Sequence, residues 1–457
     1  MAIIQQFLID ISGKFFINIT GQFGLDSTPF RGSCLTLDSN GRIYFPASYK
    51  EDTSYPWKPT NMWLGQYSEQ GNLNWQKSIG GSNAQGGSNS PFEVSTDSAI
   101  SPDEQYVYFC GTYNSGASSY IRDVIIVKYK ENGTLEWKKT YGNSDDQYGN
   151  AIKIDSSGNF YICGRWDNGS TYRGFLTKFN SSATIQWQKQ IGGRTDYDAM
   201  DMDSSGNIYI TGSVDSGPAD CLVVKYNSSG TVQWQKRITR GSSNYYEGTN
   251  AIAVDSSSNV YITGFSNHSS STDDQPFLMK LNSSGTFQWA RKIGNYDDDD
   301  RVNSVACDSD DNVYVTGYDA NSNSNRRDAL VVKFNSSGTV QWKRVLGVSG
   351  AYQRGYSINI DSRNNIVLGG DTYLDNDGGF GSRDYWLSRF PSDGSKTGTY
   401  TLEGKSWVYQ STSINVANST GWSVTNAGQS TGTVNYSVGN SSLSDGNYTS
   451  SSTTISI

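Results

Sequence analysis

The chain has 457 residues, of which 18% are charged and 13% are aromatic, and its formal net charge at pH 7 is −8. This acidic balance argues against nucleic acid as a partner, because nucleic-acid binding needs a clustered basic surface. No apolar run approaches the roughly 20 residues that a membrane-spanning helix requires, so we expect no membrane insertion.

Residues 1–21 contain the first predicted element, a strand segment. Within it, residues 7–17 resemble the second hairpin of the repeated module that follows, with Ile17 at the position that the module fills with Trp. Such a segment either completes the last module and closes a ring, or packs on another subunit. It has no basic start, no long apolar core and no small-residue cleavage site, so we do not interpret it as a signal peptide.

A repeat occupies residues 22–398. The first half of each copy has the form Asp-Ser-Ser-Gly-Asn-x-Tyr-Ile-Thr-Gly, and the second half ends in a tryptophan. A period of about 50 residues, built only of strand-like segments, indicates a propeller or a solenoid. The clean copies of the second half end at Trp75, Trp137, Trp187, Trp234, Trp289 and Trp342.

Each module is predicted to form four short strands, A to D. In the fifth copy these are residues 251–255, 259–264, 277–281 and 285–293, which alternate in the period of two that half-buried strands show. The sequence therefore predicts an all-β fold, a seven-bladed β-propeller of four-stranded blades. The seven first halves start near Leu35, Ala99, Ala151, Ala199, Ala251, Val305 and Ile358.

The connections differ on the two faces of such a propeller. The A–B and C–D turns are short hairpins in every copy, whereas the B–C and D–A loops vary in length and composition. In an up-and-down blade the two variable loops emerge on one face, which we call the loop face; the other is the hairpin face. Because binding residues concentrate on loops held by a rigid scaffold, we expect function on the loop face.

Residues 399–457 depart from the repeat and contain only three charged residues, Glu403, Lys405 and Asp445. Their alternating segments predict a small all-β appendage. Such a region is either an assembly module, through which the protein would form homo-oligomers, or a cap on the propeller.

The module at residues 329–342, followed by residues 357–361, resembles the bacterial β-propeller repeat of the SBBP type. The resemblance covers about residues 35–395. It implies a propeller of bacterial surfaces, of secreted proteins or of viruses of bacteria, and it implies no reaction. The glycines and aspartates that fit the frame of that family are Gly192, Gly294, Gly347, Asp155, Asp203, Asp255, Asp308 and Asp361.

The tryptophan that ends each module also resembles the docking motif of quinoprotein propellers. Those propellers often carry a vicinal cysteine pair at the cofactor site, and none of the five cysteines here is adjacent to another. We therefore expect no cofactor and interpret the tryptophan as a wedge between blades, since it buries a large area in one rigid side chain.

Residues typical of catalysis are scarce. His268 is the only histidine, which argues against a Ser-His-Asp triad and against a His-ligated zinc site, so we predict no catalytic residue. Calcium is the one ion considered, because Asp297, Asp298, Asp299 and Asp300 supply hard oxygen ligands. The alternative for this run is a solvated loop, and we interpret the acidic residues 308–312 as an ordinary capped turn.

The loop-face connections are rich in aromatic residues. Exposed Tyr and Trp beside Asn and Asp suit a sugar ring or a protein partner, and the alternative is that many of them fill gaps between blades. The candidate binding residues are Tyr55, Trp57, Tyr113, Tyr120, Trp166, Tyr172, Tyr197, Asp198, Tyr245, Tyr246, Tyr296, Tyr352 and Tyr373.

Three functions fit these features. The first is a non-enzymatic structural or attachment protein of a bacteriophage virion, a tail or fibre component that contacts other virion proteins and a host-surface glycan or protein. The second is a carbohydrate- or protein-binding propeller on or outside a bacterium. The third is a polysaccharide hydrolase or lyase that uses carboxylates such as Asp196, Asp198 and Glu247. We favour the first, because the chain is β-rich, lacks a disulfide framework and shows no export signal.

Overall fold

The computed structural model describes eighteen segments of the chain, and within them every regular element is a β-strand. No helix in these segments is long and apolar enough to cross a membrane. The described residues are 5–7, 16–23, 35–50, 60–80, 94–114, 121–215, 219–240, 245–268, 274–294, 300–321, 326–348, 351–374, 383–402, 405–426, 431–432, 437–440, 444–447 and 453–455.

The strands form a seven-bladed propeller with four antiparallel strands in each blade, as the sequence predicts. Strand A of each blade is the innermost, and strand A residues line a central channel. Blades 1 to 3 consist, in the order A to D, of Thr36–Leu37, Ile43–Lys50, Thr60–Tyr67 and Leu73–Gly80; Val94–Ile100, Tyr106–Asn114, Arg122–Lys130 and Leu135–Gly142; Asp146–Ile154, Phe160–Asp167, Tyr172–Phe179 and Ile185–Ile191.

The remaining blades repeat this order, except that the last takes its strand D from the start of the chain. Phe16–Phe23 pairs antiparallel with Arg383–Pro391, so the N-terminal strand is the outermost strand of blade 7. Blades 4 to 7 consist of Arg194–Met202, Ile208–Asp215, Ala219–Tyr226 and Val232–Arg240; Tyr245–Val254, Val260–His268, Gln275–Leu281 and Phe287–Ile293; Arg301–Cys307, Val313–Asn321, Arg326–Phe334 and Val340–Val348; Ala351–Ile360, Asn365–Leu374, Arg383–Pro391 and Phe16–Phe23.

The tryptophan that ends each module docks on the next blade. The indole of Trp289 donates a hydrogen bond to the carbonyl of Ser336 (3.3 Å), and its ring lies against Gly338, where a Cβ would stand 2.8 Å from ring atoms. This contact agrees with the interpretation of the tryptophan as a wedge between blades. The same arrangement joins Trp75 to Gly133, Trp187 to Gly230, Trp234 to Gly285 and Trp342 to Gly394.

The A–B turns are capped by the aspartate of the repeat. In blade 6, Oδ1 of Asp308 accepts hydrogen bonds from the backbone N–H groups of Asp310 (3.0 Å) and Asn312 (2.8 Å). The hydroxyl of Tyr314 donates to Oδ2 of the same aspartate at 2.8 Å. The acidic residues 308–312 thus form the capped turn that the sequence predicts.

The A strands of blades 2 to 7 carry a β-bulge at a common position, and in blades 2 to 6 the bulge residue reaches the next blade. The side chain of Asn150, for example, donates to the carbonyl of Tyr197 at 2.7 Å. These bonds link the blades around the channel. Equivalent bonds run from Thr96 to Gly149, from Asn250 to Val302 and from Asn303 to Gly355.

The described C-terminal residues are all-β, and their strands from Gly398 to Asn447 extend blades 6 to 1. Gly398–Leu402 pairs with Lys405–Ser411, which lies antiparallel to strand D of blade 6. We call the strands from Lys405 to Asn447 the outer belt. The other belt strands pair with strand D of blades 5, 4, 3, 2 and 1 in turn and are Val416–Asn418, Trp422–Asn426, Thr431–Gly432, Ser437–Asn440 and Ser444–Asn447.

The last strand of the chain, Thr453–Ile455, pairs in parallel with Gln5–Phe7. The belt therefore passes the blades in the order 6 to 1, which is the reverse of their order in the sequence. The chain then ends beside the N-terminal segment.

Candidate functional site

Arginine and tyrosine side chains alternate on the loop face across blades 2 to 4. The guanidinium of Arg165 lies 4.5 Å from the ring centroid of Tyr148 and 5.7 Å from that of Tyr172. On the outer sides, Arg122 lies 5.4 Å from Tyr148, and Arg194 lies 4.9 Å from Tyr172. These distances are within the range of cation–π attraction. We call these five residues the arginine–tyrosine array.

Three adjacent strands of blade 3 position the centre of the array. Tyr148 near the start of strand A is directly opposite Arg165 near the end of strand B, and Tyr172 begins strand C. Strands A and B can approach each other this closely because residue 164 is a glycine. A Cβ on Gly164 would stand 1.8 Å from the carbonyl oxygen of Tyr148. The local order Gly-Arg at the end of strand B thus places the guanidinium beside the ring.

Carboxylates surround the array. Arg122 is 2.8 Å from Oδ2 of Asp146 and donates a hydrogen bond to the hydroxyl of Tyr148, also at 2.8 Å. The guanidinium of Arg165 lies 3.6 Å from carboxylate oxygens of both Asp167 and Asp196. The site therefore offers hydrogen-bond donors, acceptors and aromatic faces together, the combination with which proteins bind polar ligands.

Of the five residues of the array, only Tyr172 is among the binding residues predicted from the sequence; Tyr148 and the three arginines are not. The signal that could have found Arg165 is its place directly after the glycine of strand B. Other blades carry Thr112, Ser213, Phe265, Tyr318 and Asp371 at this position.

Two predicted binding residues lie near the array but are partly covered. The indole of Trp166 donates to Asp145 at 3.1 Å, and the guanidinium of Arg173 lies 5.7 Å from its ring. Tyr113 packs against the apolar core between blades 1 and 2. Both residues are therefore only partly exposed.

Two other predicted residues are buried and do not belong to the loop-face surface. Tyr197 has no exposed area, and its hydroxyl shares a hydrogen bond of 2.8 Å with the hydroxyl of Tyr226. Burial raises the pKa of Tyr197 well above its ordinary value. Asp198 occupies the bulge of strand A in blade 4, where its carboxylate accepts a hydrogen bond from Thr249 at 3.3 Å. The bulge geometry turns both side chains into the seams between blades.

Tyr246 is an exposed aromatic residue on the loop face of blade 5. Its side chain is 50% exposed, and its ring stacks on Phe265 with a centroid distance of 6.0 Å. Tyr352 of blade 7 is partly exposed. These two candidates are on blades that the array does not reach.

Several predicted residues fall outside the described part of the structure. The side chains of Tyr245 and Tyr373 are not described, although their backbones lie in strands. Outside the described residues altogether are Tyr55, Trp57, Tyr120, Tyr296, Asp297, Asp298 and Asp299.

Asp300 is the one described member of the predicted calcium run. It is buried, and Oδ1 accepts a hydrogen bond from the backbone N–H of Ala320 at 2.7 Å. Among the described residues no three acidic, histidine or cysteine side chains form a group that could hold a metal ion. Asp300 therefore links the start of strand A of blade 6 to the end of strand B, and calcium binding by this run remains a sequence prediction.

The central channel contains charged groups. A cavity of about 150 Å³ is lined by small side chains such as Ala199 and Ala251 and by Asp97, Lys153 and Asp201. Lys153 lies 3.6 Å from Asp201. Burial raises the pKa of Asp97 to about 7, although Lys153 acts in the opposite direction.

Glu247 is a second carboxyl group with a raised pKa. Burial, and after it the charge of Asp220, raises this pKa to about 7. Glu247 is almost fully buried, and its Oε1 accepts bonds from the backbone of Arg240 (3.3 Å) and the hydroxyl of Ser266 (3.4 Å). It ties the end of strand D of blade 4 to strands A and B of blade 5, so its surroundings are those of a structural residue.

A family model described as the β-propeller repeat SBBP matches residues 288–324, which run from strand D of blade 5 past strand B of blade 6. These residues are an SBBP-type β-propeller repeat. The resemblance inferred from the sequence is thus confirmed over these residues, whereas the arginine–tyrosine array lies outside them, in blades 2 to 4. No curated protein matches the chain.

Several solved structures resemble this propeller in fold. The polysaccharide lyase Uly1 is 11% identical with a TM-score of 0.48, over 81% of this chain and 92% of that one. The quinohemoprotein alcohol dehydrogenase from Comamonas testosteroni is 9% identical with a TM-score of 0.45, over 87% and 81%. An ulvan lyase is 12% identical with a TM-score of 0.43, over 80% and 95%. Similarity at this level concerns architecture alone.

Proposed function

We propose that the protein is a non-enzymatic binding propeller, a structural or attachment component of a bacteriophage virion whose loop face binds a glycan or protein of the host surface. The observation that supports binding is the arginine–tyrosine array. Aromatic faces next to convergent donors and acceptors suit sugar rings, whose C–H faces are apolar and whose hydroxyl groups need hydrogen-bond partners.

The buried position of Glu247 and Asp198 supports a binding role over a catalytic one. Glycosidases act with two carboxyl groups that flank the substrate at about 5 to 9 Å from each other. Here Glu247 is only 1% exposed and Asp198 only 3%, so neither is open to a polysaccharide.

The binding surface is tested with one variant on each face. Titration calorimetry against a panel of bacterial surface polysaccharides should detect binding by the unaltered protein and weaker binding by Tyr172→Ala. Phe287, which is 37% exposed beside a C–D hairpin, provides the control on the hairpin face, and Phe287→Ala should leave binding unchanged. Equal losses in both variants would refute the assignment to the loop face, and a fall in polysaccharide viscosity would indicate an enzyme instead.

The virion assignment is tested separately. Virions purified from a culture that expresses the chain should contain it in a fixed ratio to other tail proteins, measured by mass spectrometry. If virions lack the chain and the bacterial surface or medium contains it, the virion role is wrong and the bacterial binding propeller replaces it.

A further inference from the structure

Arg165, the central cation of the array, has unused hydrogen-bonding capacity. A guanidinium has five N–H donors. Within the described part of the chain, the guanidinium of Arg165 donates no hydrogen bond, and its Nε is buried without a partner. Buried donors in folded proteins are nearly all paired. Among the described residues, Nε of Arg173 and of Arg389 also lacks a partner, but the guanidinium groups of those two arginines donate other hydrogen bonds.

The neighbours of Arg165 fix its plane without using its donors. Tyr148 lies 4.5 Å and Tyr172 5.7 Å from the guanidinium, and both contacts are with ring faces rather than hydroxyl groups. The nearest oxygens of Asp167 and Asp196 are at 3.6 Å, beyond hydrogen-bond distance. The side chain is 31% exposed, so a ligand can reach it from the loop face.

Arg122 at the edge of the array shows the contrast. Its guanidinium is bonded at 2.8 Å both to the carboxylate of Asp146 and to the hydroxyl of Tyr148. Arg122 therefore holds the tyrosine in place, while Arg165, which lies near the same ring, keeps its donors for another group.

We propose that Arg165 binds the acidic group, a carboxylate or a sulfate ester, of a charged saccharide. This inference rests on the proposed glycan binding by the loop face. The planar guanidinium matches two oxygens of such a group at once. Tyr172 and Asp167, which are both partly exposed beside the guanidinium, provide an aromatic ring and a hydrogen-bond acceptor for the sugar.

The charges around the site select a singly charged group. Two carboxylates within 3.6 Å of the guanidinium repel a second negative charge on the ligand, which disfavours a phosphate monoester. The net charge of −8 also repels polyanions at long range. Binding must therefore come from local contacts, not from a general attraction of acidic polymers.

The experiment compares ligands that differ only in the acidic group. The probes are a hyaluronan octasaccharide, its carboxyl-reduced form, a sulfated galactan oligosaccharide and a desulfated one. The variants are Arg165→Gln, Arg165→Lys and the control Arg327→Gln. Arg327 is a loop-face arginine of blade 6 that also lies beside a tyrosine, with its guanidinium 5.0 Å from the Tyr318 centroid. Affinities are measured by calorimetry, and thermal midpoints show that each variant is folded.

We expect the unaltered protein to bind at least one acidic probe and Arg165→Gln to bind it about 10- to 100-fold more weakly, as loss of a charged hydrogen bond implies. Arg165→Lys should lose less, and Arg327→Gln should bind normally. Removing the acidic group from the probe should weaken binding to the unaltered protein by the same factor but have no further effect on Arg165→Gln. The pair of probes that shows this coupling identifies carboxylate or sulfate as the group.

Two results would overturn the inference in distinguishable ways. If the unaltered protein binds acidic and neutral probes equally, or Arg165→Gln retains its affinity, Arg165 does not recognise the acidic group, although glycan binding itself stands. A lower thermal midpoint with unchanged affinity would then show that Arg165 only bridges Asp167 and Asp196. If no acidic or neutral probe binds, both this inference and glycan binding by the loop face fail.

Discussion

Replacing Arg389 by methionine should strongly destabilise the propeller, because this arginine is a buried cation at the seam between blades 7 and 1. Its side chain is 1% exposed, and Nη2 lies 2.8 Å from Oδ2 of Asp361, which is 2% exposed. The guanidinium also donates hydrogen bonds to the carbonyl groups of Gly41 (3.1 Å) and Glu69 in blade 1. One side chain thus connects three groups on two blades.

The expected cost follows from what the substitution leaves behind. Methionine fills a similar volume, but Asp361 remains buried without its cation. Breaking a buried pair in this way costs about 3 to 5 kcal/mol. Lys333 is the equivalent residue of blade 6, but it is partly exposed and its Nζ lies 3.9 Å from Asp308. Because Lys333 is farther from its aspartate and partly hydrated, the loss of this pair should cost less than the loss of the Arg389 pair.

The assay is urea unfolding followed by tryptophan fluorescence. Arg389→Met should unfold at a clearly lower urea concentration than Lys333→Met, and the double variant Arg389→Met/Asp361→Asn should recover part of the loss, since it also removes the unpaired charge. If Arg389→Met and Lys333→Met lie within about 1 kcal/mol of each other, the buried pair does not hold the seam, and this reasoning is wrong.

Three further predictions concern the glycine turns, the outer belt and the buried carboxyl groups. Gly338→Ala would place a Cβ 2.8 Å from the docked indole at φ +75°, whereas a Cβ on Gly158, at φ +79°, meets nothing within 4 Å. Calorimetry should therefore show that Gly338→Ala loses more stability than Gly158→Ala, by about 1 to 3 kcal/mol. Equal losses would contradict the docking. Deleting residues 405–457 should expose the outer strand edges of blades 1 to 6, and the truncated protein should then self-associate, as size-exclusion chromatography with light scattering would detect. A monodisperse monomer of unchanged stability would show that the belt does not protect these edges. Burial raises the pKa values of Asp97 and Glu247 from 3.8 and 4.5 to about 7. The folded state therefore holds more protons than the unfolded state, and the free energy of unfolding should fall as the pH rises from about 5 to 7. In urea titrations the double variant Asp97→Asn/Glu247→Gln should flatten this pH dependence, and an unchanged slope would refute these pKa values.

The repeat made the blades predictable because strand alternation and turn chemistry are local. The tryptophan wedge could also be predicted, since its size and spacing leave few other places for it. The outer belt could not be predicted, because its strands are as short as Thr431–Gly432. They also join the blades through backbone hydrogen bonds, which leave no side-chain pattern in the sequence.

The candidate site was predictable only in part. Tyr172 was found because an aromatic residue in a variable loop is conspicuous. Arg165 was missed because an arginine at the end of a strand ordinarily points into solvent, and its neighbour Asp196 comes from the next blade. Tyr197 was placed on the surface because it precedes the bulge of strand A, which the sequence does not reveal and which turns the ring inward.

The order in which the outer belt passes the blades determines when the molecule can be completed during synthesis. Phe16–Phe23 must wait for Arg383–Pro391, about 360 residues later, which at ribosomal rates of 5 to 20 residues per second takes about 20 to 70 s. The edge of blade 1, made first, is covered last, because the belt reaches it only at Ser444–Asn447. Throughout that interval the nascent chain has unpaired strand edges, to which neighbouring nascent chains can pair. Misassembly is therefore favoured most when several ribosomes translate the same messenger RNA close to one another.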